Sequence, residues 1–331
     1  NKNDSWRDRV KSSFDEFLDV SLVSDYQVTL LAKEKEIDIA IDLKGYTHNS
    51  RPKIFSEGSA PIQVSYLGYP GTMGAKFIDY LIADRVLIPK KEQKYYSEKI
   101  VYMPDSYQVN MSKRTISKSY FSRENLGLPE KGFVFCCFNN NYKVTPSTFA
   151  SWARILKAVD GSVLWLFETN SFSSSQLKKE ATKYGVHEER LLFAKRLPVE
   201  EHLSRIQQAD LFLDTFPYNA HTTCSDALRV ELPILTLIGK SFASRVAASL
   251  LESIDLSELI VSSISEYESL AIELALNPKK LSNIKNKIAT NILSTSLFDS
   301  QLFTKKLEEA YFKMNKTRQN NSKHQHIYID H

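Results

Sequence analysis

The sequence predicts an α/β protein whose second half is a doubly wound parallel sheet, and three observations predict it. Beyond residue 130, short apolar runs bounded by turn residues alternate with helical patterns. Ahead of that point strand-like runs dominate. The composition, 42% apolar and 25% charged with only 10 Gly and 11 Pro, is that of a globular chain and excludes a disordered, collagen-like or low-complexity one. At 331 residues the chain is longer than one average domain, which fits two domains or one large α/β unit.

Trp6, Val10, Phe14 and Phe17 recur near helical spacing and predict a first helix. Ile37, Ile39, Ile41 and Leu43 then alternate with Asp38, Ala40 and Asp42, a strand that ends in Gly45-Tyr46-Thr47. Further strands are predicted at 62–67, 78–83 and 99–103, with LGYPGTMG as the loop between the first two. Residues 105–131 are polar and carry Lys113, Arg114, Lys118, Arg123 and Gly127, a connecting composition with a boundary near 115–130. FVFCCFN (133–139) reads as a buried strand, Pro146 opens a helix behind Thr145, and SVLWLFE (162–168) completes a β-α-β unit. The rhythm continues through a helix at 174–184, strand 191–194, a helix from Pro198, strand 211–215, a helix after His221 and strand 233–237. Segments 241–254, 264–275 and 299–314 are predicted helical, and the tail from Lys316 polar and frayed. The expected division is 1–125, 126–315 and a tail of 316–331.

Forty-three Lys and Arg against 39 Asp and Glu give a net charge of +4, too dilute and unclustered for a nucleic-acid binder. Cys136, Cys137 and Cys224 cannot build a disulfide framework, and no CxxC or His/Cys spacing suggests zinc, so no metal and a reducing compartment are expected. No apolar run approaches the roughly 18 residues of a membrane span. The amino end NKNDSWRDRV is no signal peptide, and a soluble, cytosolic protein with no membrane partner is expected. The absence of GxGxxG, Walker, GxSxG and HExxH patterns counts against the commonest hydrolases and metalloenzymes.

Chemistry concentrates in strand-to-helix loops, where a parallel sheet places its ligands. In PYNAHTTCSDAL, His221, Thr222 and Thr223 fall at a helix amino terminus, where unpaired N–H groups and the dipole favour a phosphate. Asp226, one turn on, lies on the same face and suits a sugar's hydroxyls. The competing reading is a threonine cap with Asp226 complementing the dipole. In NNNYK, Asn139, Asn140 and Asn141 supply short donors and Lys143 a compact charge for a diphosphate leaving group, against the alternative of turn-forming asparagines and a surface lysine. His202, four residues after Pro198, is placed to reach a bound base or to serve structure alone. In the first half Asp42 ends a strand and is followed by Tyr46, Thr47, His48 and Arg51, while Gly68, Gly71 and Gly74 read as tight-turn residues.

The blocks DLKGYTHNSRPKIF, APIQVSYLGYPGTMGA, YSEKIVYMPDSYQVN, FVFCCFNNNYK, SVLWL, DLFLDTFPYNAHTTCSDAL and FASRVAASLL resemble the catalytic region of O-linked N-acetylglucosamine transferases and their SPINDLY-like relatives, in order from Trp6 to Met314. The resemblance implies two Rossmann-like domains facing a cleft, the GT-B arrangement. It implies UDP-N-acetylglucosamine (UDP-GlcNAc) as donor, Ser and Thr hydroxyls of proteins as acceptors, inversion at the anomeric carbon and no metal. Matched block by block, it makes Lys143 the neutraliser of departing UDP, with Asn140 where animal relatives have glutamine. It puts His202 beside the uracil ring, His221, Thr222 and Thr223 on the phosphates, and Asp226 on the ribose. Asp42 and Tyr46 are its catalytic candidates in the first half.

This chain departs from the family at Val199, where animal relatives have a lysine, and at Arg229 and Glu231, where Trp and Gly are expected. The family's catalytic region begins ahead of Trp6 with a βα unit and upstream tetratricopeptide repeats, so an incomplete first domain and a longer parent chain are expected. Two alternatives remain open: a protein O-fucosyltransferase using GDP-fucose, and a nucleotide-sugar-binding scaffold without turnover.

Overall fold

Residues 4–118 and 121–330 are described by a computed structural model; residues 1–3, Ser119, Tyr120 and His331, which the first-domain and tail expectations include, lie outside the described residues. Helices α1 (Ser5–Ser12) and α2 (Asp25–Glu34) lead into β1 (Ile39–Asp42), α3 (Lys53–Ser56), β2 (Ile62–Ser65), β3 (Tyr80–Asp84) and β4 (Lys99–Met103). The four strands lie side by side in chain order and all pair parallel. Helix α1 stops at Ser12, so the predicted period reaches Phe14 and Phe17 only in sequence. Helix α2, which the sequence reading passed over, carries a full capping box: the Ser24 hydroxyl accepts from the Gln27 N–H while the Gln27 side chain accepts from the Ser24 N–H.

The second half follows the predicted alternation: β5 (Val134–Cys137), α4 (Pro146–Ala158), β6 (Val163–Phe167), α5 (Ser171–Lys183), β7 (Leu191–Ala194), α6 (Val199–Ile206), β8 (Leu211–Leu213), α7 (Thr222–Arg229), β9 (Ile234–Leu237), α8 (Val246–Glu252) and β10 (Ile260–Val261). The strand order is β10-β9-β8-β5-β6-β7, all parallel, so the winding reverses between β5 and β8. Because both faces are covered by helices, strands such as Val134–Cys137 are buried along their whole length and read as apolar runs rather than alternations. Helices α9 (Ile264–Leu276), α10 (Pro278–Ser294) and α11 (Ser300–Gln319) follow. Helix α10, also passed over, is opened by the Asn277 side chain and Pro278 at its first position.

The tail corrects the sequence reading. Helix α11 continues to Gln319, and β11 (Ile327–Tyr328) adds a fifth parallel strand to the first sheet beside β4. Ile329 is fully buried, and the Ile100 N–H donates to His326 Nδ1 at 2.9 Å. A segment with only two alternating isoleucines gains its strand from an open sheet edge, a long-range cause that local composition does not carry.

The two sheets meet at a polar seam. Asp84, at the end of β3, is fully buried and accepts from the N–H groups of Val86, Leu87 and Tyr107 and from the Ser249 hydroxyl on α8 at 2.6 Å. The Arg245 Nε donates to the Val86 carbonyl at 2.6 Å, and the Gln108 amide donates to Ser225 Oγ on α7 at 2.8 Å.

Candidate functional site

The crevice outside the carboxyl ends of β5 and β8 is where a doubly wound sheet binds its ligand. Three segments converge there: the loop after β5, residues 214–220 after β8, and the start of α7. Asn139 ties them together while almost fully buried. An ionised carboxylate only accepts, so the Asn139 amide nitrogen must face Asp214 Oδ1, at 3.2 Å, and Thr215 Oγ1, at 2.7 Å. Its oxygen then accepts the Thr223 hydroxyl.

Lys143 closes a single turn of 3₁₀ helix, Asn141–Lys143, whose first link runs from the Lys143 N–H to the exposed Asn140 carbonyl. Its Nζ donates to the Asn219 carbonyl at 2.7 Å and lies 4.0 Å from the Tyr218 ring centroid. Burial pulls the lysine pKa down from its ordinary value, and the Asp214 charge opposes that shift. The surface-lysine reading does not describe this half-buried, cradled side chain.

Helix α7 begins without a cap. His221 occupies the cap position with no side-chain bond to the first-turn N–H groups, and neither threonine sits there. The Thr223 hydroxyl is committed to Asn139, Thr222 is exposed, and the Cys224 N–H bonds the His221 carbonyl at 3.0 Å, so the N–H groups of Thr222 and Thr223 are left without helical partners. His221 packs on Tyr218, with ring centroids 5.2 Å apart, and burial followed by the Lys143 charge pulls its pKa down to about 3. A neutral imidazole, a helix dipole and one ammonium thus lie on neighbouring segments, an arrangement chemically suited to an anion.

His202 lies edge-on to Phe138, centroids 4.9 Å apart, and its Nδ1 accepts from Arg205 Nε at 3.1 Å. The other ring nitrogen therefore carries the proton. Burial, then Arg205 and Arg114, hold its pKa down at about 4. Asp226 is buried on α7, where Arg114 from the connecting segment pairs with its Oδ1 at 2.6 Å. Burial raises the Asp226 pKa against the pull of the two guanidiniums of Arg114 and Arg229. Arg229 itself stacks 4.1 Å over Phe298, donates to the Met111 carbonyl, and lines an open groove of about 1020 Å³ beside Lys113. Glu231 adopts φ +61°, a left-handed conformation that glycine takes at no steric cost. That is the physical content of the glycine expected there.

The first half faces this crevice through its loops. Asp42 Oδ1 accepts from the N–H groups of Lys44 and Gly45 at 2.8 and 2.9 Å, so the carboxylate shapes the loop that presents Tyr46. Tyr46 is half exposed, its hydroxyl donates to the Met73 carbonyl at 2.9 Å, and its ring meets Tyr69 edge-on at 5.5 Å. Gly68 does more than turn the chain: a Cβ there would lie 2.0 Å from the Leu43 carbonyl oxygen. Close packing of the two loops carries Tyr69 near enough to Tyr218 to help raise its pKa, after burial and Tyr142. His48 is exposed, and Arg51 is spent on Asp25 and the carbonyls of Val20 and Val23.

The model of glycosyl transferase family 41 matches residues 1–120 and 112–307. The chain belongs to family 41. It is 39% identical over 320 residues to SEC of Arabidopsis thaliana, named a probable UDP-N-acetylglucosamine-peptide N-acetylglucosaminyltransferase, covering 95% of this chain and 33% of that protein. It is 31% identical to the similarly named SPINDLY of Petunia hybrida, covering 95% of this chain and 34% of that one. A solved mutant of the Thermobaculum terrenum O-GlcNAc transferase superposes with a TM-score of 0.85 at 29% identity, over 95% of this chain and 59% of that chain. Anabaena HepE, solved with UDP and glucose, shares the two-domain glycosyltransferase fold at a TM-score of 0.58 and 14% identity, over 92% of this chain and 90% of that one. The family 41 chain spans about a third of the length of the two plant relatives.

Of the residues singled out in the sequence, Asn140 and Lys143 lie on the loop after β5, His221, Thr222, Thr223 and Asp226 at the start and along α7, His202 on the adjoining helix α6, and Asp42 and Tyr46 in the first half. The sequence reading missed Asp214, Arg205, Arg114 and Tyr218. Asp214 had a local signal, an acidic residue ending an otherwise apolar strand; Arg114 had none, because its partner lies across the domain seam.

Proposed function

We propose that this chain binds UDP-GlcNAc in the crevice of its second half and forms the catalytic region of a protein O-GlcNAc transferase acting on Ser and Thr hydroxyls. The observation that carries the reading is the uncapped amino terminus of α7 beside Lys143, an anion site built at the switch point of the sheet. Family membership and the names of the plant relatives support the donor and the peptide acceptor. In this mechanism the acceptor oxygen forms its bond to the anomeric carbon as the bond to the diphosphate breaks, the electron pair leaves with UDP, and the hydroxyl proton is released to the departing diphosphate or to water. Lys143 and the helix N–H groups receive the growing charge without reorganisation. Asp226 takes the ribose by exchanging part of its contact with Arg114, and the neutral His202 lies beside the base. Tyr46 and Tyr69 form the acceptor-side wall.

The donor site needs no cation in this reading, and among the described residues no three His, Cys, Asp or Glu side chains cluster to hold one. Calorimetric titration with UDP in EDTA-containing buffer is expected to show binding with a Kd below about 1 mM. Absence of binding in a folded sample, or binding only after Mg²⁺ is added, overturns the assignment. Tighter binding of GDP than UDP changes the donor to a guanosine sugar.

A further inference from the structure

Asp214 is fully buried at the carboxyl end of β8, and no oxygen of it reaches the crevice. Its Oδ1 accepts from the N–H groups of Thr215 and Ala220, at 2.8 and 2.6 Å, and from the Asn139 amide. Its Oδ2 accepts from the Thr236 hydroxyl on β9 at 2.7 Å. All four partners donate, so the site is built for an anion. The three partners of Oδ1 lead outward to groups at the crevice, whereas Thr236 lies behind: Asn139 orients Thr223, and the clamped 214–220 loop carries Asn219, whose carbonyl holds Lys143. The Asn219 amide donates back to the Thr215 carbonyl at 3.0 Å, which closes the loop on itself.

We propose that Asp214 is the positioning residue of the donor site: without touching the ligand, it holds Asn139, Thr223 and Lys143 in the arrangement that receives the diphosphate. This rests on the donor reading given above. A proton on Asp214 puts a fifth donor among four, which loosens the 214–220 loop and frees the Asn139 amide.

The titratable groups facing Asp214 are Lys143 from the loop, Cys137 on β5, Cys224 on α7 and Tyr267 on α9, whose hydroxyl donates to the Asp214 backbone carbonyl at 2.9 Å. Burial pushes both thiols and the phenol upward. It pushes Asp214 up to about 6, while His202 and His221 stay below, at about 4 and about 3. Asp226 on α7 is also raised by burial, and the Thr236 hydroxyl bonds Asp214 instead.

Two opposite outcomes separate positioning from simple charge. If Asp214 acts only as a negative charge near a diphosphate, neutralising it tightens donor binding; if it positions the site, neutralising it weakens binding. Calorimetry with UDP-GlcNAc, whose diphosphate diester does not titrate in this range, is run on the 331-residue chain between pH 5 and 8. Affinity is expected to fall about 10-fold on acidification through the Asp214 transition, in keeping with loss of hydrogen bonds to a charged group. Asp214→Asn is expected to bind about 10-fold more weakly at pH 8 and to lack the step. Thr236→Val, on the far side of the carboxylate, is expected to retain affinity at pH 8 and to shift the step to higher pH, because a donor to the charged form is lost. If Asp214→Asn fails to fold, the wild-type and Thr236→Val profiles decide alone. Affinity that is flat or rises toward pH 5, or a step unmoved by Thr236→Val, overturns the inference and leaves the donor reading standing. No binding at pH 8 by the wild type overturns both.

Discussion

The surroundings of Lys143, more than its residue type, set what it does. Burial disfavours its charge, Asp214 favours it, and the Asn219 carbonyl and Tyr218 face fix its direction. Its attraction for the diphosphate grows as UDP departs, so Lys143→Ala is expected to lower kcat by about 100-fold to 1000-fold, roughly 3–4 kcal/mol, with a smaller effect on donor affinity. His202→Ala, away from the reacting bond, is expected mainly to raise the donor KM. Labelled sugar reaching a protein acceptor is the assay, and a near-normal kcat for Lys143→Ala refutes the role. Glu231 offers a test without activity. Its left-handed backbone makes Glu231→Gly stabilising, by up to about 1 kcal/mol, read as a higher midpoint in urea; an unchanged or lower midpoint contradicts this.

At the scale of elements, β11 shows how a strand arises from its surroundings. Two residues pair with Val101 and Tyr102 of β4, Tyr328 stacks on Tyr102 with centroids 4.9 Å apart, and Ile329 fills the core beneath. Ile329→Asp buries an unpaired carboxylate and is expected to cost about 3 kcal/mol, seen as a lowered Tm. His326 adds a pH dependence. Burial and Lys99 lower its folded pKa beneath the ordinary value of 6.5, so the unfolded tail takes up the proton more readily. The stability it contributes is complete above 6.5 and is lost as pH falls below that value. Limited proteolysis is expected to cut the tail faster at about pH 5 than at about pH 7.5; equal rates reject the linkage.

For the molecule as a whole, Asp84 is the node that joins the halves. Three backbone N–H groups from the first half and the Ser249 hydroxyl from the second converge on its buried carboxylate. Asp84→Ala strands these donors, and the expected loss is about 3 kcal/mol. Scanning calorimetry is expected to resolve two transitions where the wild type shows one, because the halves lose a shared polar contact. A single transition at the wild-type Tm removes Asp84 from that role. The seam also passes through Gln108 and Ser225 to α7, so the helix that presents the anion site is anchored to both halves.

Features that depend on neighbours in the chain are legible in the amino-acid order. The β-α alternation after residue 130, the loops carrying Lys143 and His221, and the buried run VFCCFN follow from periodicity, caps and turn residues within a few positions. The capping box at Ser24 and the Asn277-Pro278 start were equally legible, though passed over. Other features depend on partners far away in the chain and emerge only on folding. The pairing of Arg114 with Asp226, the bonds from Asn139 and Thr236 to Asp214, the commitment of the Thr223 hydroxyl to Asn139 and the strand at Ile327 all join residues that no local pattern relates. Hydrogen bonds and burial act through space, and only a folded backbone specifies which distant groups come within their few ångströms of reach.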